Sequence, residues 1–126
     1  MFYVTDTHPL VWYIVNKKLK HDVDKIFSGA EKGEWTVFIP TIALAEIRYL
    51  AEHKKIELDF PELLRKIEAS SDFVPVPLDF QTIKFMPDNL EIHDQIIVAT
   101  AKVLNAKLIT RDRKIRELGV VECVMC

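Results

Sequence analysis

Two rhythms of apolar positions alternate along the chain. Short β-branched and aromatic runs occur at FYVT (2–5), WTVFI (35–39), FVPV (73–76), AKLIT (106–110) and over 120–125, and each reads as a strand. The segments between them carry apolar residues at helical spacing. That spacing predicts helices over 9–16, 19–31, 42–53, 79–86, 93–104 and 113–118, with a further one running from Asp59-Phe60-Pro61 to Ala69. Pro9 suits a first helical turn, Thr41 an N-cap for the helix over 42–53, and Gly119 a helix end. The prolines in and beside FVPV mark it as an edge strand. Ile97, Ala101 and Leu104 form one apolar stripe on their helix. Strands alternate with helices almost throughout, an order that predicts an α/β sandwich around a mainly parallel sheet.

A length of 126 residues suits one compact domain over 1–126. With 49% hydrophobic and 29% charged residues the chain has enough apolar surface for a core, which excludes a disordered segment. No apolar run approaches the roughly 20 residues of a membrane span. The start, MFYVTDTHPL, has no basic stretch, and Asp6 breaks its apolar run, so no secretory signal and a cytoplasmic location are expected. Net charge is −2, which excludes binding nucleic acid by overall charge. A polyanion would need bound divalent cations or a local basic patch. The two cysteines, Cys123 and Cys126, form a C-x-x-C. With no second pair for zinc, and on a strand rather than a helix start, they read as a small buried hydrophobe and a free terminal thiol.

In open α/β sheets, ligands collect at the carboxyl ends of the strands. Asp6 follows the first strand and Asp112 follows AKLIT. Asp94 opens the helix before AKLIT, and Glu46 lies early in the helix after WTVFI, so both helices start at that same edge. Each residue also has a structural reading. Asp6 and Asp112 suit helix caps, Asp94 complements a helix dipole, and Glu46 suits a salt bridge. Glu46 is the least ordinary of the four. Residues 42–51 contain only Glu46 and Arg48 as charged groups, so the carboxylate is expected to be partly buried and to need a partner. Four carboxylates at one edge repel unless cations neutralise them, and an oxygen-only donor set suits Mg²⁺ or Mn²⁺.

VTDTH (4–8), LAEI (44–47), HDQIIVATA (93–101) and LITRD (108–112) together resemble the PIN-domain family, in order and over essentially the whole chain. The last two stretches resemble the toxin ribonucleases of VapBC-type toxin–antitoxin modules. The resemblance implies a doubly wound, three-layer fold and a divalent-metal-dependent endoribonuclease, acting on RNA as the toxin of a pair. It implies Asp6, Glu46, Asp94 and Asp112 as metal-binding and catalytic groups. It also implies Thr110 as a catalytic-site hydroxyl bonded within the acidic cluster, and an antitoxin protein as partner. Gln95 stands where many relatives carry Arg, and Ile115 where many carry Phe. Under this reading Asp6, Asp94 and Asp112 bind metal, while Glu46 either binds metal or orients the attacking water.

Arg111, Arg113, Lys114 and Arg116 flank Asp112 and read either as phosphate contacts or as a solvated short helix. His8 reads first as a helix-start residue. Trp12 and Tyr13 read as core or dimer contacts ahead of base-stacking platforms, and Leu10-Val11-Trp12 as apolar surface for a homodimer. One alternative is a non-catalytic RNA- or protein-binding module of the same fold. A phosphotransfer protein is a weaker alternative, because Asp6 lacks the second acidic residue such sites pair with it. No Gly-rich turn supports nucleotide binding of the Rossmann type.

Overall fold

The computed structural model describes all 126 residues. The elements follow in the order β1 (Phe2–Thr5), α1 (Thr7–Ile14), α2 (His21–Glu31), β2 (Thr36–Pro40), α3 (Thr41–Glu52), α4 (Phe60–Ala69), β3 (Phe73–Val76), α5 (Phe80–Ile83), α6 (Ile92–Val103), β4 (Lys107–Thr110), α7 (Arg113–Leu118) and β5 (Cys123–Met125). All five strands pair in parallel, in the order β3-β2-β1-β4-β5. The chain therefore winds outward from β1 to β3, returns to β4 and winds outward the other way. The reversal falls between β1 and β4, where a crevice opens at the strand ends.

Alternation along each strand builds the layers. Tyr3, Val37, Ile39 and Ile109 face one core with Leu10, Phe27, Leu44, Ile47 and Leu63. Val4 and Leu108 face the other with Ile97, Val98, Ala101 and Ile115. The sheet is buried on both sides, as the unbroken apolar character of its strands requires. No helix is long and apolar enough to cross a membrane.

Several boundaries differ from expectation for local reasons. The first helix starts at Thr7 rather than residue 9, because Asp6 turns there and caps it. Thr41 is the first residue of α3, not its cap; Pro40 holds the cap position without a side-chain bond. Trp35 stands outside β2, its indole N–H donating to Ile26 O at 2.6 Å. The final strand is shorter than 120–125. Leu10 and Val11, read as apolar surface for a second copy, lie inside the core at 2% and 5% exposure. As expected, β3 is an edge strand.

Trp35 also explains Gly29. A Cβ at this position in α2 would lie 2.3 Å from the Trp35 ring, which its hydrogen bond holds in place. Alanine would improve helix propensity by about 0.5–1 kcal/mol, but overpacking a core costs about 1–3 kcal/mol. Gly29→Ala is therefore expected to lower the urea midpoint at unchanged m-value, and an increase would show the ring to be free to move.

Candidate functional site

At the β1–β4 crevice, the first strand ends in Thr5 and the chain turns at Asp6. The Asp6 N–H donates to Ile109 O at 2.9 Å, so the turn stays bound to the neighbouring strand. The Asp6 side chain is 7% exposed. Its Oδ1 accepts from Thr7 N–H at 2.7 Å and its Oδ2 from the Thr110 hydroxyl at 2.8 Å. The Thr110 oxygen in turn accepts from Asp112 N–H at 3.1 Å. One buried hydroxyl thus connects the turns after β1 and β4. Asp112 caps α7 with Oδ1 alone, accepting from Lys114 and Ile115 N–H at 2.8 and 3.3 Å. The cap uses one carboxylate oxygen, so capping and a second role are compatible.

Glu46 is half-buried on α3, as its apolar surroundings predicted. Its partner is no cation: the Thr7 hydroxyl donates to its Oε1 at 3.1 Å. Asp94 lies half-buried in the first turn of α6. The cleft these four carboxylates share holds about 440 Å³ and is lined by Asp6, His8, Glu46, Glu91, His93, Asp94, Arg111 and Asp112, with no hydrophobic residue. None of the four cluster carboxylates belongs to an ion pair.

The electrostatics follow from this crowding. Burial pushes the Asp6 carboxyl above its ordinary range, against the Thr110 and Thr7 hydrogen bonds that pull it down. Asp94 is pushed up to about 6, first by burial and then by the charges of Asp6, Asp112, Glu91 and Glu46. At the rim, Glu91 Oε1 and His93 Nδ1 lie 2.6 Å apart. The pairing lowers the carboxyl and raises the imidazole.

The four carboxylates supply oxygen donors that repel one another and belong to no ion pair, a chemistry that suits a hard divalent cation, and His8, His93 and Arg111 line the same cleft. The side chains are not drawn into a coordination shell, because no three His, Cys, Asp or Glu groups stand close enough to hold an ion. Thr7, Glu91 and His93 were not singled out in the sequence. Thr7 had a visible signal, being the polar neighbour of Asp6 at a helix start. The Glu91–His93 pair had none beyond the acidic residue two before His93.

The C-x-x-C contributes nothing to the cleft. Both thiols are free, and burial raises both pKa values, opposite to what a redox pair needs.

An acidic cleft at the switch point of a doubly wound parallel sheet defines the class. The chain belongs to the PIN domain family, whose model matches residues 3–121. Similar solved structures include VapBC2 from Rickettsia felis bound to a DNA fragment from their promoter (18% identity, 99% of this chain and 98% of that chain, TM-score 0.75). DNA-bound VapBC from Salmonella typhimurium is another (19%, 99% and 98%, TM-score 0.70). A toxin–antitoxin complex from Klebsiella pneumoniae is a third (20%, 98% and 96%, TM-score 0.67). No curated protein matches.

Two measurements probe the site's energetics. The folded pKa of Asp94 lies above its unfolded value, so the fold holds this proton more tightly than the open chain does. The resulting stability is present below about pH 4 and is lost as pH rises through about 6. Asp94→Asn removes the charge, and is expected to stabilise the protein at pH 8 by about 1 kcal/mol after allowance for solvent screening. That is a few degrees in Tm. At pH 4 the two proteins should melt together; a gain of equal size at both pH values would refute the repulsion. Thr110→Val keeps the shape but leaves Asp6 Oδ2 and Asp112 N–H without their partner. Urea unfolding should show a loss of about 1–3 kcal/mol, and a neutral result would mean the hydroxyl bridge carries no weight.

Proposed function

We propose that this chain is, over 1–126, a PIN-like nuclease domain: a divalent-metal-dependent endoribonuclease and the toxin of a toxin–antitoxin pair. The supporting observation is that four carboxylates from separate segments share one wholly polar cleft without a positively charged partner among them. The lining contains no hydrophobic residue, and suits a phosphodiester approached through cations.

In this reading Asp6, Glu46, Asp94 and Asp112 hold Mg²⁺ or Mn²⁺. A bound ion supplies a water of lowered pKa and offsets charge on the phosphate. The chain's own groups do the positioning. Thr110 fixes the Asp6 carboxylate and the backbone before Asp112. Thr7 aims Glu46, which either joins the metal-binding set or orients the water. Arg111, exposed at the cleft wall, meets the substrate phosphate.

The partner proteins follow the same reading. The toxin–antitoxin complexes that share this fold support an antitoxin as partner, which in this reading would cover the cleft. A homodimer would use the exposed Phe80, Ile83, Phe85 and Ile92 rather than the buried Leu10 and Val11. The cytoplasm is the proposed location.

The test is cleavage of single-stranded RNA with Mg²⁺ or Mn²⁺. Asp6→Asn and Asp94→Asn should each lower the rate by about a thousandfold while circular dichroism stays unchanged. Full activity in the double variant, or in EDTA, would end the assignment. Calorimetry with Mn²⁺ separates the alternative, a non-catalytic module of the same fold, which would take up no ion specifically.

A further inference from the structure

Beside the acidic cleft lies a cluster of the opposite sign. Trp12, half-buried on α1, packs against the core and carries two cations on its ring: Lys17 Nζ at 4.8 Å from the centroid and the Arg111 guanidinium at 5.1 Å. The His8 ring meets it edge-on at 6.2 Å. The cations come from distant parts of the chain. Arg111 sits between β4 and α7. Lys17 is turned back by Asn16, whose φ is 59°, and its N–H donates to Trp12 O at 2.8 Å. Neither cation has a carboxylate partner. Two exposed cations without ion-pair partners, gathered on one ring, are free to meet an anion. Arg111 and His8 also line the carboxylate cleft, so the cluster and the cleft are continuous.

We propose that Trp12, Arg111 and Lys17 form a platform for the nucleotides of single-stranded RNA next to the phosphate that enters the cleft. Arg111 and Lys17 each take a backbone phosphate, and the Trp12 ring holds the two cations where neighbouring phosphates can reach both. This rests on the cleft being a phosphodiester site, and it adds which groups outside the cleft hold the strand. A single strand fits because its flexible backbone can bend to bring neighbouring phosphates to both cations and on into the cleft.

The test is binding, kept apart from cleavage. A fluorescein-labelled 2′-O-methyl oligonucleotide, which resists hydrolysis, is titrated by anisotropy in EDTA over a range of salt. Each phosphate contact on a single strand contributes about 0.7 to the slope of log K against log salt. Arg111→Gln and Lys17→Gln should each flatten the slope by that amount, and the double variant by about 1.4, twice 0.7. Lys102→Gln, at the far end of α6, should leave it unchanged. Trp12→Leu removes the ring that holds the cations and should weaken binding about threefold, with Trp12→Phe recovering much of the loss and showing that the fold tolerates the site.

An unchanged slope in the double variant would overturn the platform. So would poly-glutamate binding as tightly as the oligonucleotide with the same losses, because the cluster would then serve an acidic protein segment. The two readings fail separately. Normal cleavage with unchanged slopes removes the platform alone, while flattened slopes in a protein that never cleaves RNA remove the nuclease alone.

Discussion

Like charges gathered at one edge of the sheet are the constraint around which this molecule is arranged. Asp6, Glu46, Asp94 and Asp112 reach the same cleft, and none is neutralised by a lysine or arginine. The fold holds them with neutral donors instead. Asp6 and Asp112 accept backbone N–H groups at the starts of α1 and α7, and Asp94 sits in the first turn of α6. A helix start presents unpaired N–H groups and partial positive charge, which offsets part of the repulsion without filling the cleft. Two threonine hydroxyls complete the arrangement, Thr110 on Asp6 and Thr7 on Glu46. A buried cation in their place would have satisfied the carboxylates fully and left nothing for an incoming ion.

The position of this cluster follows from topology. Only at the β1–β4 reversal do the chain exits of two adjacent strands diverge to opposite faces of the sheet, opening a crevice. The Thr110 hydroxyl bridges that divergence, donating to one exit and accepting from the other. Behind it stand Val4, Leu108 and Ile109, all fully buried. The rigid centre of the sheet thus supports the most electrostatically strained group of side chains. Strain of this kind is tolerated where the surrounding packing over-determines the backbone.

Much of this was legible in the sequence because it depends on chain order alone. Asp6 follows its strand directly and Asp112 one residue later, and the strand–helix alternation already predicts a parallel sheet. The strand order was not legible from the pattern, since apolar strands buried on both faces look alike. Side-chain contacts across the fold were harder still. Glu46 was marked as needing a partner, but nothing local distinguished a salt bridge from the Thr7 hydroxyl across the α1–α3 contact. Leu10 and Val11 were misread because the stretch from Leu10 to Val15 is apolar around much of its circumference. Such a run does not say whether it faces a second copy or is sandwiched between sheet and α3. The Glu91–His93 pair depends on a helix beginning at Ile92, a boundary that periodicity alone sets only to within a few residues.

The overall charge of −2 is a poor guide to what approaches this surface. Fields at a cleft are set by the nearest charges, because exposed charges beyond about 10 Å are largely screened at physiological salt. The acids of the cleft raise the local concentration of divalent cations, and by themselves they repel any phosphate. Arg111 stands where these opposing fields meet, lining the cleft on one side and lying over Trp12 on the other. A strand of nucleic acid drawn first to the basic cluster would meet the acids only at the phosphate that extends past Arg111. The boundary between the two patches would then decide which phosphate enters. The division of charge, rather than its sum, is what would reconcile an acidic protein with the polyanionic substrate proposed for it.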